Sequence, residues 1–114
     1  MIKLKRVYDP PAANDGTRIL VERLWPRGLG KEQAGVDAWL KDVAPSHALR
    51  TWYGHDPAKW DEFTTRYTTE LHGKAAIIDR LREAASRGMV TLVFASKDER
   101  HCSAVILKDV VDRA

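Results

Sequence analysis

The loop Arg23-Leu-Trp25-Pro-Arg27-Gly28 carries the densest set of side chains able to grip a ligand. Its two guanidinium groups can hold an anion in bidentate fashion, and Gly28 and Gly30 let backbone N–H groups approach it. Trp25, between them, offers a ring face on which a base can stack. A structural reading competes with this one: Arg23 paired with an acid such as Asp98, and Trp25 plugging the core. Asp98 follows an apolar run and has arginines as neighbours in the expected fold, a setting suited to general acid or base work. As the residue where a helix opens, it serves equally as a cap. A second cluster, Arg50-Thr-Trp52-Tyr53-Gly-His55, either closes over the first as a lid or packs a short helix on the sheet.

Other chemistry is narrowed by the residue inventory. Cys102 is the single cysteine, which excludes an internal disulfide and a multi-cysteine zinc site and fits a reducing compartment. Placed one turn into a final helix, its thiol would feel the helix N-terminus and could act as a nucleophile. Core filling is the commoner use of a lone helical cysteine, and an unreactive, packed thiol is expected. His47, His55, His72 and His101 match no metal-binding spacing, so neither metal nor cofactor is expected. Ser46 lacks a Gly-x-Ser-x-Gly setting and reads as a helix cap.

Behind these residues stands a chain of 114, room for one domain spanning residues 1–114. With 44% hydrophobic and 31% charged residues it can build a core, which excludes wholesale disorder. No apolar run approaches the roughly 18 residues of a membrane span, and the Met1-Ile-Lys-Leu-Lys-Arg6 start lacks a signal-peptide pattern. A soluble, cytoplasmic protein with no membrane partner is therefore expected. The net charge of +3 is uneven: residues 1–55 hold 9 basic against 6 acidic side chains, and residues 56–114 hold 10 of each. A pI near 9.2 suits phosphate-bearing ligands. Nucleic acid is the weaker partner, because no run of Lys and Arg appears.

The elements that must position these side chains follow from patterning. Ile2 to Val7 alternates apolar and basic residues as a strand, ended by Asp9-Pro10-Pro11. A second strand is predicted over Arg18–Leu24, and residues 25–30 form a loop because Pro26 has no ladder donor. Its direction relative to the first strand is open, since ten residues between the strands also suit a wide hairpin. Asp37 and Ser46 are predicted N-caps of short helical turns. Asp56-Pro57 opens a helix whose stripe is Trp60, Phe63, Tyr67 and Leu71, stopped by Gly73. Another helix runs from about Lys74 to Arg87 with Ile77, Ile78 and Leu81 on one face. Met89–Ala95 is a buried strand. Ser96-Lys-Asp98-Glu99 has a capping-box pattern, predicting a last helix through Val110.

The blocks Arg6-Val-Tyr-Asp-Pro-Pro11, Asp15-Gly-Thr-Arg-Ile-Leu-Val-Glu-Arg-Leu-Trp-Pro-Arg-Gly28, Ala44-Pro-Ser46 and Trp52-Tyr-Gly-His-Asp-Pro57 resemble the YeaO-like proteins, a bacterial family named as a domain of unknown function. Leu49-Arg50, Trp60, Phe63, Arg66-Tyr67, Glu70-Leu71 and the segment from Thr91-Leu to Lys97-Asp98 extend the resemblance over almost the whole chain. It implies kinship with a larger three-layer α/β group, in which an Asp-Val-Arg-like strand end faces a Cys-His-Arg-like segment opening the last helix. Here Glu22-Arg23 with Trp25-Pro26-Arg27 matches the first segment, and His101-Cys102-Ser103 stands at the second. Ser103 replaces the histidine, and Ser96 stands where the longer relatives carry a Cys-Ala-Glu block. Both departures count against an inherited thiol or metal mechanism. A regulator role for such chains finds no support, because no helix-turn-helix with an exposed basic recognition helix is visible.

These readings converge on a three-layer α/β/α sandwich with a short, mainly parallel sheet, whose ligands bind beyond the strand carboxyl ends. The expected function is binding, extending to hydrolysis or group transfer, of a phosphate-bearing small molecule or nucleotide. In that scheme Arg23 and Arg27 hold the anion with Gly28, Trp25 stacks, Arg50 closes and Asp98 is the acid or base. The alternative is a non-enzymatic module binding nucleic acid through Lys3, Lys5, Arg6, Arg18 and Arg27, or binding a protein.

Overall fold

A computed structural model describes residues 1–113. Four strands, β1 (Ile2–Arg6), β2 (Thr17–Leu20), β3 (Ala38–Trp39) and β4 (Val90–Phe94), form one sheet in the order β1-β4-β2-β3, with every pair parallel. The hairpin alternative for the first two strands is thus excluded, because β4 inserts between them. Ile2 lies opposite Val90 on one side of β4, and Thr17 lies opposite the same residue on the other. All five β4 residues are buried, the condition in which a parallel strand can be apolar throughout.

The helices are α1 (Lys31–Ala34), α2 (His47–Tyr53), α3 (Trp60–His72), α4 (Ala75–Arg87) and α5 (Ser103–Asp112). None is long and apolar enough to cross a membrane. The two faces of the sheet are covered unequally. On one face, Phe63, Tyr67 and Leu71 of α3, Ile78 and Leu81 of α4, and Ile106 and Leu107 of α5 share a core with Ile19, Val21, Val90, Leu92 and Phe94, as the stripes require. Trp60 and Ile77 lie at its rim. The other face is thinner, where Val7, Leu20, Ala34 and Val93 meet Trp25, Leu29, Val36 and Trp39.

Local chemistry sets the boundaries. Ser46 caps α2 by accepting from the Leu49 N–H at 3.2 Å, and Asp56 accepts from the Ala58 N–H at 3.0 Å ahead of a 3-10 turn that leads into α3. Three expectations need correction. The second strand stops at Leu20, although the Val21 N–H still donates to Val93 O at 3.2 Å. Asp37 starts no helical turn: its carboxylate takes the Arg18 N–H at 2.8 Å, and Ala38–Trp39 pairs with β2 as an edge strand. The last helix begins at Ser103 instead of Ser96, because Asp98 Oδ1 takes the Arg100 and His101 N–H groups at 3.0 Å and closes a separate loop turn. Cys102 consequently stands at the N-cap position of α5.

On the thinner face a fully buried carboxylate, Asp15, gathers three cations. Lys3 and Lys5 of β1 and Arg18 of β2 approach it at 3.0, 3.1 and 2.8 Å, and the Ala12 N–H donates at 3.0 Å. Burial pushes its carboxyl up, but the Ala12 N–H and the three cations outweigh that and hold it well below the ordinary carboxylate range. Arg18, only 3% exposed, also donates to the carbonyls of Gly35 and Ala34. Gly16 makes the close passage possible: at φ +63°, a Cβ there would lie 2.2 Å from the Met89 carbonyl oxygen.

Candidate functional site

Beyond the carboxyl ends of β2 and β4 lies a cavity of about 290 Å³. Open parallel sheets bind ligands at this position, where loops leaving the strands diverge. Glu22 enters it just past β2, and Ala95 and Ser96 just past β4. Helix α2 contributes Arg50 and Tyr53 from its exposed-to-core boundary, and the start of α5 contributes Cys102 and Ser103. His55 reaches the cavity after two consecutive left-handed residues, Gly54 at φ 55° and His55 itself at φ 56°. A left-handed non-glycine residue is uncommon, and here it ends α2 abruptly enough to aim an imidazole inward.

Each polar group is held in a definite state. Glu22 Oε2 accepts the Ala95 N–H at 2.9 Å, and the Glu22 carbonyl accepts from Trp39 Nε1 at 2.6 Å. Burial pushes the Glu22 carboxyl above its usual value, against the Ala95 N–H and the positive charges of Arg50 and His55. Tyr53 donates its hydroxyl to the His101 carbonyl at 2.9 Å. Burial, then the negative charges of Asp98 and Asp56, raise the phenol, so it remains a neutral donor. His101 Nδ1 lies 3.0 Å from Asp98 Oδ2 and its ring sits edge-on to Trp60, 5.3 Å between centroids. Asp98 is held below the carboxylate range chiefly by the Arg100 N–H, with His101 adding to it.

Burial pushes the Cys102 thiol above its usual value, and only 6% of the residue is exposed. A protonated thiol is a poor nucleophile. Native protein should therefore react slowly with a thiol reagent at neutral pH, and unfolded protein quickly. Rapid labelling of the native state below neutral pH would show an ionised thiol and restore Cys102 as a nucleophile.

The structure separates residues that the sequence places together. Arg50 lines the cavity. Asp98 stands outside its wall and touches it through His101. Arg23 does not pair with Asp98: its guanidinium donates to the carbonyls of Pro45 at 3.2 Å and Ala44 at 3.1 Å, two residues of the cavity wall. Trp25 offers no stacking face there, because it packs edge-on to Trp39 on the thinner side of the sheet and donates Nε1 to the Leu29 carbonyl. Arg27 is exposed, and its carbonyl accepts from the Tyr8 hydroxyl at 2.9 Å. Gly28 takes φ 75° in the same exposed turn. The segment from Arg50 to His55 packs as foreseen through Tyr53, next to Leu49 in the core, while Arg50, Tyr53 and His55 line the cavity.

Glu22 and His101 had no site role in the sequence reading of the residues themselves. A carboxylate ending the run Ile19-Leu-Val-Glu22 was the available signal for the first. His101 gave none, since its place depends on the loop turn closed by Asp98.

Family and sequence comparisons identify the chain's kin. The chain matches, over residues 1–114, the family model described as the inactive DUF488-N3 subclade. Uncharacterised proteins of Mycobacterium bovis and Mycobacterium tuberculosis are each 41% identical over 111 residues, covering 97% of this chain and 93% of theirs. The uncharacterised protein YeaO of Escherichia coli is 37% identical over 108 residues, covering 95% of this chain and 94% of its own. No solved structure matches. With a full-length family match and relatives aligned almost end to end, the chain belongs to the YeaO-like family, within the subclade described as inactive DUF488-N3.

Proposed function

We propose that the strand-end cavity binds a phosphate-bearing small molecule no larger than a nucleotide, with Arg50 as its principal counter-charge. The observation that carries this reading is that Arg50 lines the cavity and that its guanidinium, among the described residues, donates to no carboxylate or carbonyl. A guanidinium left free at a concave, half-apolar site is equipped for a phosphate oxygen pair. His55 and His101 add donors, and the ten-residue helix α5 directs its N-terminal turn at the same space with no side-chain cap. Binding without covalent chemistry suits a protonated Cys102, and it suits the word inactive in the description of the subclade.

The open-face nucleic-acid alternative is supported less well. Lys3, Lys5 and Arg18 converge on Asp15, and Arg6 donates to the carbonyls of Ser96 and Ala95 at 2.9 and 3.2 Å. Cations spent on internal partners release few counterions on a polyanion.

Phosphate at about a hundredfold excess over its Kd should stabilise the protein by roughly 2.7 kcal/mol, read as a rise in Tm. Arg50→Ala should abolish that rise. Arg27→Ala, remote from the cavity, should keep it. A wild-type Tm that phosphate and nucleoside monophosphates leave unmoved, or an Arg50→Ala response equal to wild type, overturns the reading.

A further inference from the structure

The cavity is not simply positive. Glu22 and Arg50 both line it, yet they form no ion pair, and Glu22 Oε1 has no hydrogen-bond partner among the described residues. One carboxylate oxygen is committed to the Ala95 N–H; the other is open to the cavity. The residue is also fixed in place, because its backbone carbonyl holds the Trp39 indole and its side chain holds the β4 exit. A fixed carboxylate and an unpaired guanidinium thus face one cavity from different walls: Glu22 from the end of β2, Arg50 and His55 from α2 and the turn that ends it.

A bare phosphate beside Arg50 would sit in the repulsive field of Glu22. A ligand bearing a cation at its other end turns that repulsion into a second attraction, and it supplies the donor that Oε1 lacks. We propose that the ligand is zwitterionic, a small phosphate monoester with a primary amine, its phosphate on Arg50 and its ammonium on Glu22. This inference rests on the phosphate-site reading above and adds to it the ligand's second recognition element. Glu22 is then a specificity residue: it discriminates amino phosphates from hydroxylated ones of the same size. The cavity's volume of about 290 Å³ suits a molecule the size of phosphoethanolamine or phosphoserine.

Titration calorimetry at about pH 7.5 and about physiological ionic strength, with three probes, separates the two readings. For wild type, phosphoethanolamine should bind at least about tenfold more tightly than glycerol 3-phosphate or inorganic phosphate, a difference of about 1.4 kcal/mol. Glu22→Gln keeps an oxygen for the Ala95 N–H but aims an amide donor at the ammonium. In that variant the preference should vanish, with inorganic phosphate bound as well as or better than in wild type. Arg50→Ala should weaken all three probes together. If phosphoethanolamine shows no advantage in wild type, or Glu22→Gln retains the advantage, the zwitterion inference is overturned while an Arg50-dependent phosphate site stands. If no probe binds wild type, both fall. The wild-type comparison alone decides the matter should Glu22→Gln fail to fold.

Discussion

Asp15→Ala should destabilise the protein by about 3–5 kcal/mol, the range found when one partner of a buried ion pair is removed. The loss is large because the cations left behind are not equally able to reach water. The Lys3 and Lys5 side chains retain 33% and 21% exposure and can turn outward, whereas Arg18 is pinned under Ala34 and Gly35 with 4% of its side chain exposed. Lys3→Ala should accordingly lose less than about 1 kcal/mol, because the lysine is partly in water and Lys5 and Arg18 still hold the carboxylate. The acid dependence follows from the same site. A carboxyl held below its ordinary value of 3.8 stabilises the fold above that pH, and the contribution is lost as pH falls below 3.8 toward the folded-state value. Urea denaturation of wild type at pH 7 and pH 3 should show this loss, and Asp15→Ala should show less of it. A loss under about 1 kcal/mol at pH 7 would mean that the three cations repack without their acid.

Phe63→Ala should lose a comparable amount, about 3–5 kcal/mol, but for an apolar reason. Phe63 is 2% exposed and lies stacked between Tyr53, with ring centroids 4.1 Å apart, and Tyr67 at 5.9 Å. Truncation removes the transfer energy of the ring, both stacking contacts and the inner wall of the strand-end cavity. The variant should therefore also lose the phosphate-dependent rise in Tm. Retention of both stability and ligand response would show that α3 closes the gap by repacking.

The helices of the thick layer were legible because each signal is local. Asp56-Pro57, the Trp60-Phe63-Tyr67-Leu71 stripe and Gly73 fix α3 from within 18 residues of sequence, and the apolar run at Val90–Phe94 marks a strand buried on both faces. What escaped depends on distant partners. Ala38–Trp39 is a strand only because β2 offers it an edge, and two residues leave no periodicity to detect. Asp98 was legible as a capping residue, but the N–H groups it takes belong to a loop turn, so α5 starts later than the pattern suggests. The arginine loop misled for a similar reason. Arg23 and Arg27 are close in sequence, yet Arg23 turns to the carbonyls of Ala44 and Pro45 while Arg27 stays with Tyr8 on the surface. Arg50 and Tyr53 lie together on the cavity because one short helix carries both, and the turn that ends it brings His55 beside them.

The strand at the centre of the sheet is the last to leave the ribosome. Ile2 must wait for Val90 and Thr17 for the same residue, sequence separations of 88 and 73, and the one strand pair that can form early is the two-residue contact of β2 with β3. Until β4 emerges, a nascent chain holds α3 and α4 with no sheet to cover, β1 with both edges open and β2 with the edge away from β3 open. Closure of such non-local contacts is slow, and the waiting segments are those that aggregate or recruit chaperones. Assembly of this sheet therefore waits on synthesis past Phe94, and a product truncated before Val90 lacks the strand that joins its halves.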